Sequence, residues 1–191
     1  MTEKINKVTY GIEQGHIHKL GEGGLPGPGI PLKGLVSFTP SADGSQNIFY
    51  ADNIAYHVMN SNNGYTADIT TANIPDEMLA WMLGWEQTAD GRLVELADGQ
   101  AEPFAFSFQV QGDQRDRRML FYNCVASRPA KENTTNTDST QIVPDILSVK
   151  ITPIAVGGRK LVKDTIELSD TNKEVYDAWF TAPTFPTFVG E

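Results

Sequence analysis

The chain has 191 residues, 40% of them hydrophobic, with 15 Lys and Arg against 24 Asp and Glu for a formal charge of −9. That length and apolar content suit one domain spanning residues 1–191 and exclude global disorder, while the acidic balance excludes a protein that grips nucleic acid, because displacing phosphate counterions takes clustered Lys and Arg. No stretch approaches the roughly 18 apolar residues of a membrane helix, and residues 1–12 hold neither an apolar run nor a small-residue cleavage site, so a soluble protein made in a cytoplasm, with no membrane partner, is expected.

Near the start, Val8, Tyr10 and Ile12 share a face and suggest a short strand. Residues 15–34 contain GEGGLPGPGIP, and proline and glycine at this density predict a long loop rather than a helix or a central strand. Residues 1–34 therefore read as an N-terminal arm followed by that loop. Residues 35–39 and 46–50 read as strands separated by turn chemistry in TPSADGS, with a third strand at 54–59. Asn63-Gly64 then turns the chain into a fourth strand at 65–71. Tandem strands joined by short turns imply antiparallel pairing.

Pro75 in a first turn, followed by Asp76 and Glu77, opens a helix whose Met78, Trp81, Met82 and Trp85 fall at helical spacing, with Gly84 as terminator. Packing of that stripe against a sheet is the expected role. A short strand is expected at 92–96. Phe104, Phe106, Phe108 and Val110 alternate with Ala105, Ser107 and Gln109, the pattern of a half-buried strand. Further strands follow at 119–127, 145–154 and 161–168, the last two separated by Gly157-Gly158. Residues 131–141, KENTTNTDSTQ, predict an exposed loop. Thr171 and Glu174 have capping-box spacing before a short helix with Val175, Ala178 and Trp179 on one face, and residues 183–191 form an apolar extension. About nine strands and two short helices make an α+β, mainly β protein, an antiparallel β-sandwich or barrel with a flanking helix and long loops.

Reactive constellations are missing from this pattern. There is no Gly-x-Ser-x-Gly elbow, P-loop or Rossmann fingerprint. Cys124, the single cysteine, lies in the apolar run LFYNCVAS and reads as a small buried hydrophobe. His16 and His18 would point to one side of a strand, with His57 as a third ligand, but no Cys or acidic cluster has matching spacing, so no metal or other cofactor is expected. Asp43, Asp52, Asp90, Asp98 and Asp113 are scattered among turns. Arg115, Arg117 and Arg118, and Arg159 with Lys160, read as solvated hairpin tips. An enzyme is not expected.

Several stretches in fixed order carry a family resemblance: FYADN with Tyr56, NGY at 63–65, IPD before Leu83-Gly84, FAF before GDQ, YNCVASRP at 122–129, and Val175-Tyr176 before Trp179-Phe180. Over roughly residues 35–181 the chain resembles the major tail protein family of siphophages and prophages of Gram-positive bacteria, the phi-thirteen type. The resemblance implies the tail-tube fold. It implies a virion protein made in the host cytoplasm, whose partners are further copies of itself in stacked rings of six. Others are the tape-measure protein inside, the tail terminator and the distal tail or baseplate proteins at the ends, and DNA only as passing, non-specific cargo. Residues 46–59 with 64–72, or 103–111 with 118–128, are then the candidates for the inner barrel. Lys131, Asn133, Asn136 and Asp138 in the polar loop, and Phe185 and Phe188 in the C-terminal extension, are the candidate inter-subunit contacts. The alternative is a non-enzymatic β-sandwich module that binds carbohydrate or a surface receptor.

Overall fold

The computed structural model describes residues 8–129 and 143–188. Its strands, in chain order, are β1 (Ile12–Leu20), β2 (Pro26–Pro31), β3 (Leu35–Asp43), β4 (Gln46–Ala51), β5 (Ile54–Asn60) and β6 (Gly64–Thr71). Helix α1 (Asp76–Leu83) follows, then β7 (Glu86–Gln87), β8 (Leu93–Val94), β9 (Phe104–Val110) and β10 (Arg118–Ala126). The chain ends with β11 (Asp145–Thr152), β12 (Ile154–Val156), β13 (Arg159–Leu161), β14 (Lys163–Ile166) and α2 (Lys173–Asp177). Over the described residues the protein is mainly β, with antiparallel pairing throughout and two short helices.

The principal sheet runs β2-β1-β9-β10-β11-β6-β3, with β14 also paired to β10. It curls on itself. Phe38 of β3, at one end of the order, packs against Phe106, Phe108 and Phe121 from the middle, with ring centroids 4.9–5.4 Å apart. The Leu32 N–H donates to the Gly15 carbonyl at 2.8 Å and ties the linker before β3 to β1. The enclosed core holds Ile69, Phe106, Phe121, Leu147 and Ile151, and α1 closes it with Met78 and Met82. Helix α1 stops at Gly84, whose φ of +67° is the left-handed cap that glycine supplies without a side-chain clash. A second apolar cluster lies on the other side of β9 and β10, where Ala105, Leu120 and Tyr122 meet Trp179 and Phe180.

That second cluster revises the reading of β9. Ser107 and Ala105 are as buried as Phe104 and Phe106, because the C-terminal segment covers the face that alternation alone assigns to water. Residues 15–34 also depart from expectation. Residues 12–20 are a strand inside the sheet, and 26–31 are its edge strand. Proline is tolerated in β2 because an edge needs ladder bonds on one side only; on the outer side Gly29 donates to the Phe180 carbonyl at 2.9 Å. The strand expected at 8–12 begins only at Ile12, and Val8 and Tyr10 are exposed. Strand β3 runs through Pro40 to Asp43, past the turn read from TPSADGS, again because it is an edge. The segment 161–168 is broken at Val162 into β13 and β14, which pair with different strands. Helix α2 begins after Asn172, not with a Thr171–Glu174 capping box; the Asn172 side chain instead accepts the Ser169 N–H and donates to the Glu167 carbonyl.

Candidate functional site

Strands β3 and β6 continue beyond the principal sheet as β4 and β5, so residues 35–71 form one long hairpin whose outer half stands apart. The junction is held by Ser45 and Ser61, which exchange backbone and hydroxyl hydrogen bonds. The tip is Asp52-Asn53 with φ of +50° and +61°, the two positive values of a type I′ turn. Six residues at about 3.3 Å each project the ribbon roughly 20 Å. It forms a separate two-stranded sheet. Every residue from Gln46 to Asn60 except Ala51 is exposed.

The exposed surface is apolar on both faces. Cross-strand partners share a face: Ile48 stands beside Val58, while Phe49 is paired with His57 and meets Tyr56 edge-on at 6.5 Å. Phe49, Tyr50, Ile54, Tyr56 and Met59 are each 53–70% exposed, and Ile48 and Val58 40–45%. At roughly 150–200 Å² per large side chain these seven residues leave on the order of 700 Å² of apolar surface in water. A stable interface buries about 800 Å² per partner, and monomers rarely expose a patch so large. Asp52 is the one formal charge between Gln46 and Asn60.

The edges of the molecule are treated unequally. Free strand edges pair with other chains unless proline, lysine or a bulge protects them. The principal sheet ends in β2, with Pro26, Pro28 and Pro31, and in β3, with Pro40. The ribbon has neither proline nor lysine. Its one irregularity is a register shift between Phe49 and Tyr50. A ribbon of two strands is marginally stable in water by itself, so this element is built to be covered.

Of the contact residues expected from sequence, Lys131, Asn133, Asn136 and Asp138 lie outside the described residues. Phe185 and Phe188 are brought onto the protein's own body: Phe185 lies 5.8 Å from Tyr122, and Phe188 stacks under the Arg159 guanidinium at 4.0 Å. The ribbon, residues 46–59, is among the inner-barrel candidates of the sequence, and the structure presents it as a separate, projecting sheet. The signal was present as a 15-residue stretch with a single charge and apolar residues at both parities, where a half-buried strand shows one.

The remaining polar candidates are engaged structurally. His18 is fully buried, donates Nδ1–H to the Gly27 carbonyl at 2.8 Å and accepts the Ser107 hydroxyl at Nε2 at 2.7 Å. Both nitrogens are committed to β2 and β9, and burial holds the imidazole below its ordinary pKa, with His16 adding to the effect and the Gly27 bond opposing it. His16 stacks on Phe180 at 4.4 Å, and His57 belongs to the ribbon. Among the described residues no group of three or more His, Cys, Asp or Glu is placed to hold a metal ion, and no helix is long and apolar enough to cross a membrane.

Arg115, Arg117 and Arg118 are not solvated tips, whereas Arg159 and Lys160 are exposed beside the turn of the β12–β13 hairpin. Arg115 and Arg117 bond the two oxygens of Glu167 at 3.1 and 2.7 Å. Arg117 also lies 3.4 Å from buried Asp113, a charge contact without hydrogen-bond geometry. Arg118 lies over the rings of Tyr176 and Phe180 and bonds Gln109 and the Tyr176 carbonyl. Cys124 is fully buried, and desolvation pushes its thiol pKa far up, which leaves it inert. An open groove of about 400 Å³ runs between Pro31, Pro75, Met78 and Trp81, but the Lys19 ammonium already sits 4.8 Å over the Trp81 ring.

No family model and no curated protein matches the chain. Among solved structures it is similar to the tube-terminating cap of the anti-feeding prophage, seen by cryo-electron microscopy. The two are 10% identical with a TM-score of 0.49, over 88% of this chain and 99% of that one.

Proposed function

We propose that this chain is a non-enzymatic structural subunit of a phage tail, the major protein of the tail tube, and that copies join through the β4–β5 ribbon. The observation that carries the reading is the unequal treatment of edges: proline on both outer strands of the principal sheet, and a projecting ribbon, apolar on both faces, with neither proline nor lysine. Such a device directs association to one element. A surface repeated head to tail generates a closed ring when the rotation closes, and rings that stack give a tube. The order of motifs over residues 35–181 supports rings of six around a tape-measure protein, ending at terminator and distal tail proteins, with DNA as cargo.

A carbohydrate-binding module would need an open aromatic platform. Trp81, the aromatic residue in the groove, has its face occupied by Lys19, and on the ribbon the exposed rings of Phe49 and Tyr56 stand edge-on to each other instead of forming a flat platform. The experiment is electron microscopy of the purified chain over a rising concentration series, alone and with the other tail components. Hollow rings or tubes are expected. A protein that stays strictly monomeric under all these conditions overturns the reading.

A further inference from the structure

We infer that the channel of the assembled tube is lined by the outward face of β3, β6 and β11, and that the ribbon lies within subunit contacts instead; the inference rests on the tube reading above. Register places Thr39, Asp68 and Ser148 in one row across this face and Ser41, Thr66 and Lys150 in the next. The opposite face of the same strands carries Ala67, Ile69, Leu147 and Val149 into the core. Thr39, Ser41, Thr66 and Asp68 are exposed, and Ser148 and Lys150 half-buried. The result is a bare sheet face made mostly of short polar side chains, with Ile146 exposed in the following row beside Ser37 and Thr70.

A conduit for a polyanion must stay wet while offering phosphate nothing to hold. Tight phosphate binding needs cations free to displace counterions. Lys150, the cation in these rows, is already paired with Asp43 and lies 3.5 Å from the Thr66 hydroxyl. Asp68 accepts the Ser148 hydroxyl at 2.6 Å and has no ion-pair partner among the described residues. Two acids against one base leave the face net negative, which repels a phosphate backbone without gripping it.

The other inner-barrel candidates fail this test. Residues from Phe104 to Gln109 are buried on both faces, so β9 has no side to give to a channel. The ribbon shows large apolar side chains on both faces, and a wet channel would leave one of them uncovered.

Thiol accessibility in assembled tubes tests the assignment, since native Cys124 is fully buried and silent. Full-length Thr66→Cys and Ala55→Cys proteins are reacted, free and as tubes, with a small maleimide and with a polyethylene-glycol maleimide too large for the channel; Ala55 is an exposed ribbon residue with no large side chain to lose. Ser148→Cys serves if Thr66→Cys does not assemble. Free subunits should react with both reagents. In tubes, Thr66→Cys should keep reacting with the small reagent and react at least tenfold more slowly with the large one, while Ala55→Cys should react with neither. Full reaction of Thr66→Cys with the large reagent places this face outside and overturns the inference, as does its protection from both. Reaction of Ala55→Cys in tubes with either reagent takes the ribbon out of the subunit contacts and overturns it too. If wild-type chain gives no tubes in any condition, the tube reading fails and takes this inference with it.

Discussion

Replacing Phe49 and Tyr56 by serine should raise the concentration needed for assembly about a hundredfold and leave the subunit folded. Phe49 is 60% and Tyr56 70% exposed in the subunit, and their rings touch mainly each other. With about 200 Å² per aromatic side chain, about 120 and 140 Å² are available to be buried by a neighbour, worth at most about 3 and 3.5 kcal/mol at roughly 25 cal/mol per Å². Ordering side chains and desolvating polar rims offsets part of that gain. A net loss of about 3 kcal/mol per interface remains, roughly a hundredfold rise in the critical concentration. Melting followed by circular dichroism should change by less than about 2 °C, because neither residue belongs to either core cluster. Sedimentation and negative-stain imaging across a concentration series read the assembly. The reasoning is refuted if the double variant polymerises at the wild-type concentration, or if it loses many degrees of melting temperature, which would make the ribbon part of the fold.

Three further outcomes follow from the packing. His18 is neutral in the folded protein, with a pKa below the model-peptide value of 6.5. As pH falls below that value the unfolded chain takes up the proton first, so stability is full above about 6.5 and declines on acidification; thermal melts from pH 7.5 to 5 should show this slope in wild type and a shallower one in His18→Gln. At Gly64, φ is +103° and an added Cβ would sit 1.9 Å from the Ile151 carbonyl oxygen, whereas at Gly157, φ +54°, it would meet nothing. Gly64→Ala should therefore cost more than about 3 kcal/mol in denaturant titration and Gly157→Ala only about 1. Arg118→Lys loses the planar stack on Tyr176 and Phe180 and should cost about 1–2 kcal/mol, with faster amide exchange confined to residues 173–185 and the strands beneath them.

Much of this architecture was legible in the sequence, because period and punctuation act locally. The alternation of Phe104, Phe106 and Phe108 gave β9, Pro75 and Gly84 bracketed α1, and Gly157-Gly158 marked the turn between β12 and β13. What was hidden depends on neighbours far along the chain. Ser107 reads as a solvent position until Trp179 and Phe180, more than 70 residues later, are laid over β9. The PGPGIP segment reads as a loop until its place at the end of the sheet is known. Arg118 looks like one of a charged trio, and only the fold shows that it is stacked on the C-terminal segment while Arg115 and Arg117 turn to Glu167. The ribbon was found as two strands, but exposure of both its faces is a property of what does not pack on it, which no local pattern encodes.

Edge protection and edge exposure in one chain have a consequence for assembly order. An unprotected apolar ribbon is a hazard in a free subunit, since any flat strand can pair with it. Two features restrict the pairing. The register shift between Phe49 and Tyr50 increases local twist, so a partner must match that twist to run alongside the whole ribbon. The prolines of β2 and β3 remove the principal sheet's own ends as partners, so a second copy offers mainly its own ribbon. The β4 edge of one ribbon then meets the β5 edge of the next in a single register, a head-to-tail contact, and growth proceeds around a ring instead of into an irregular aggregate. On this logic Pro40→Val, which restores an N–H to an exposed edge, should raise irregular aggregation seen by light scattering without lowering melting temperature; unchanged scattering would show that the proline serves the local backbone and has no part in steering association.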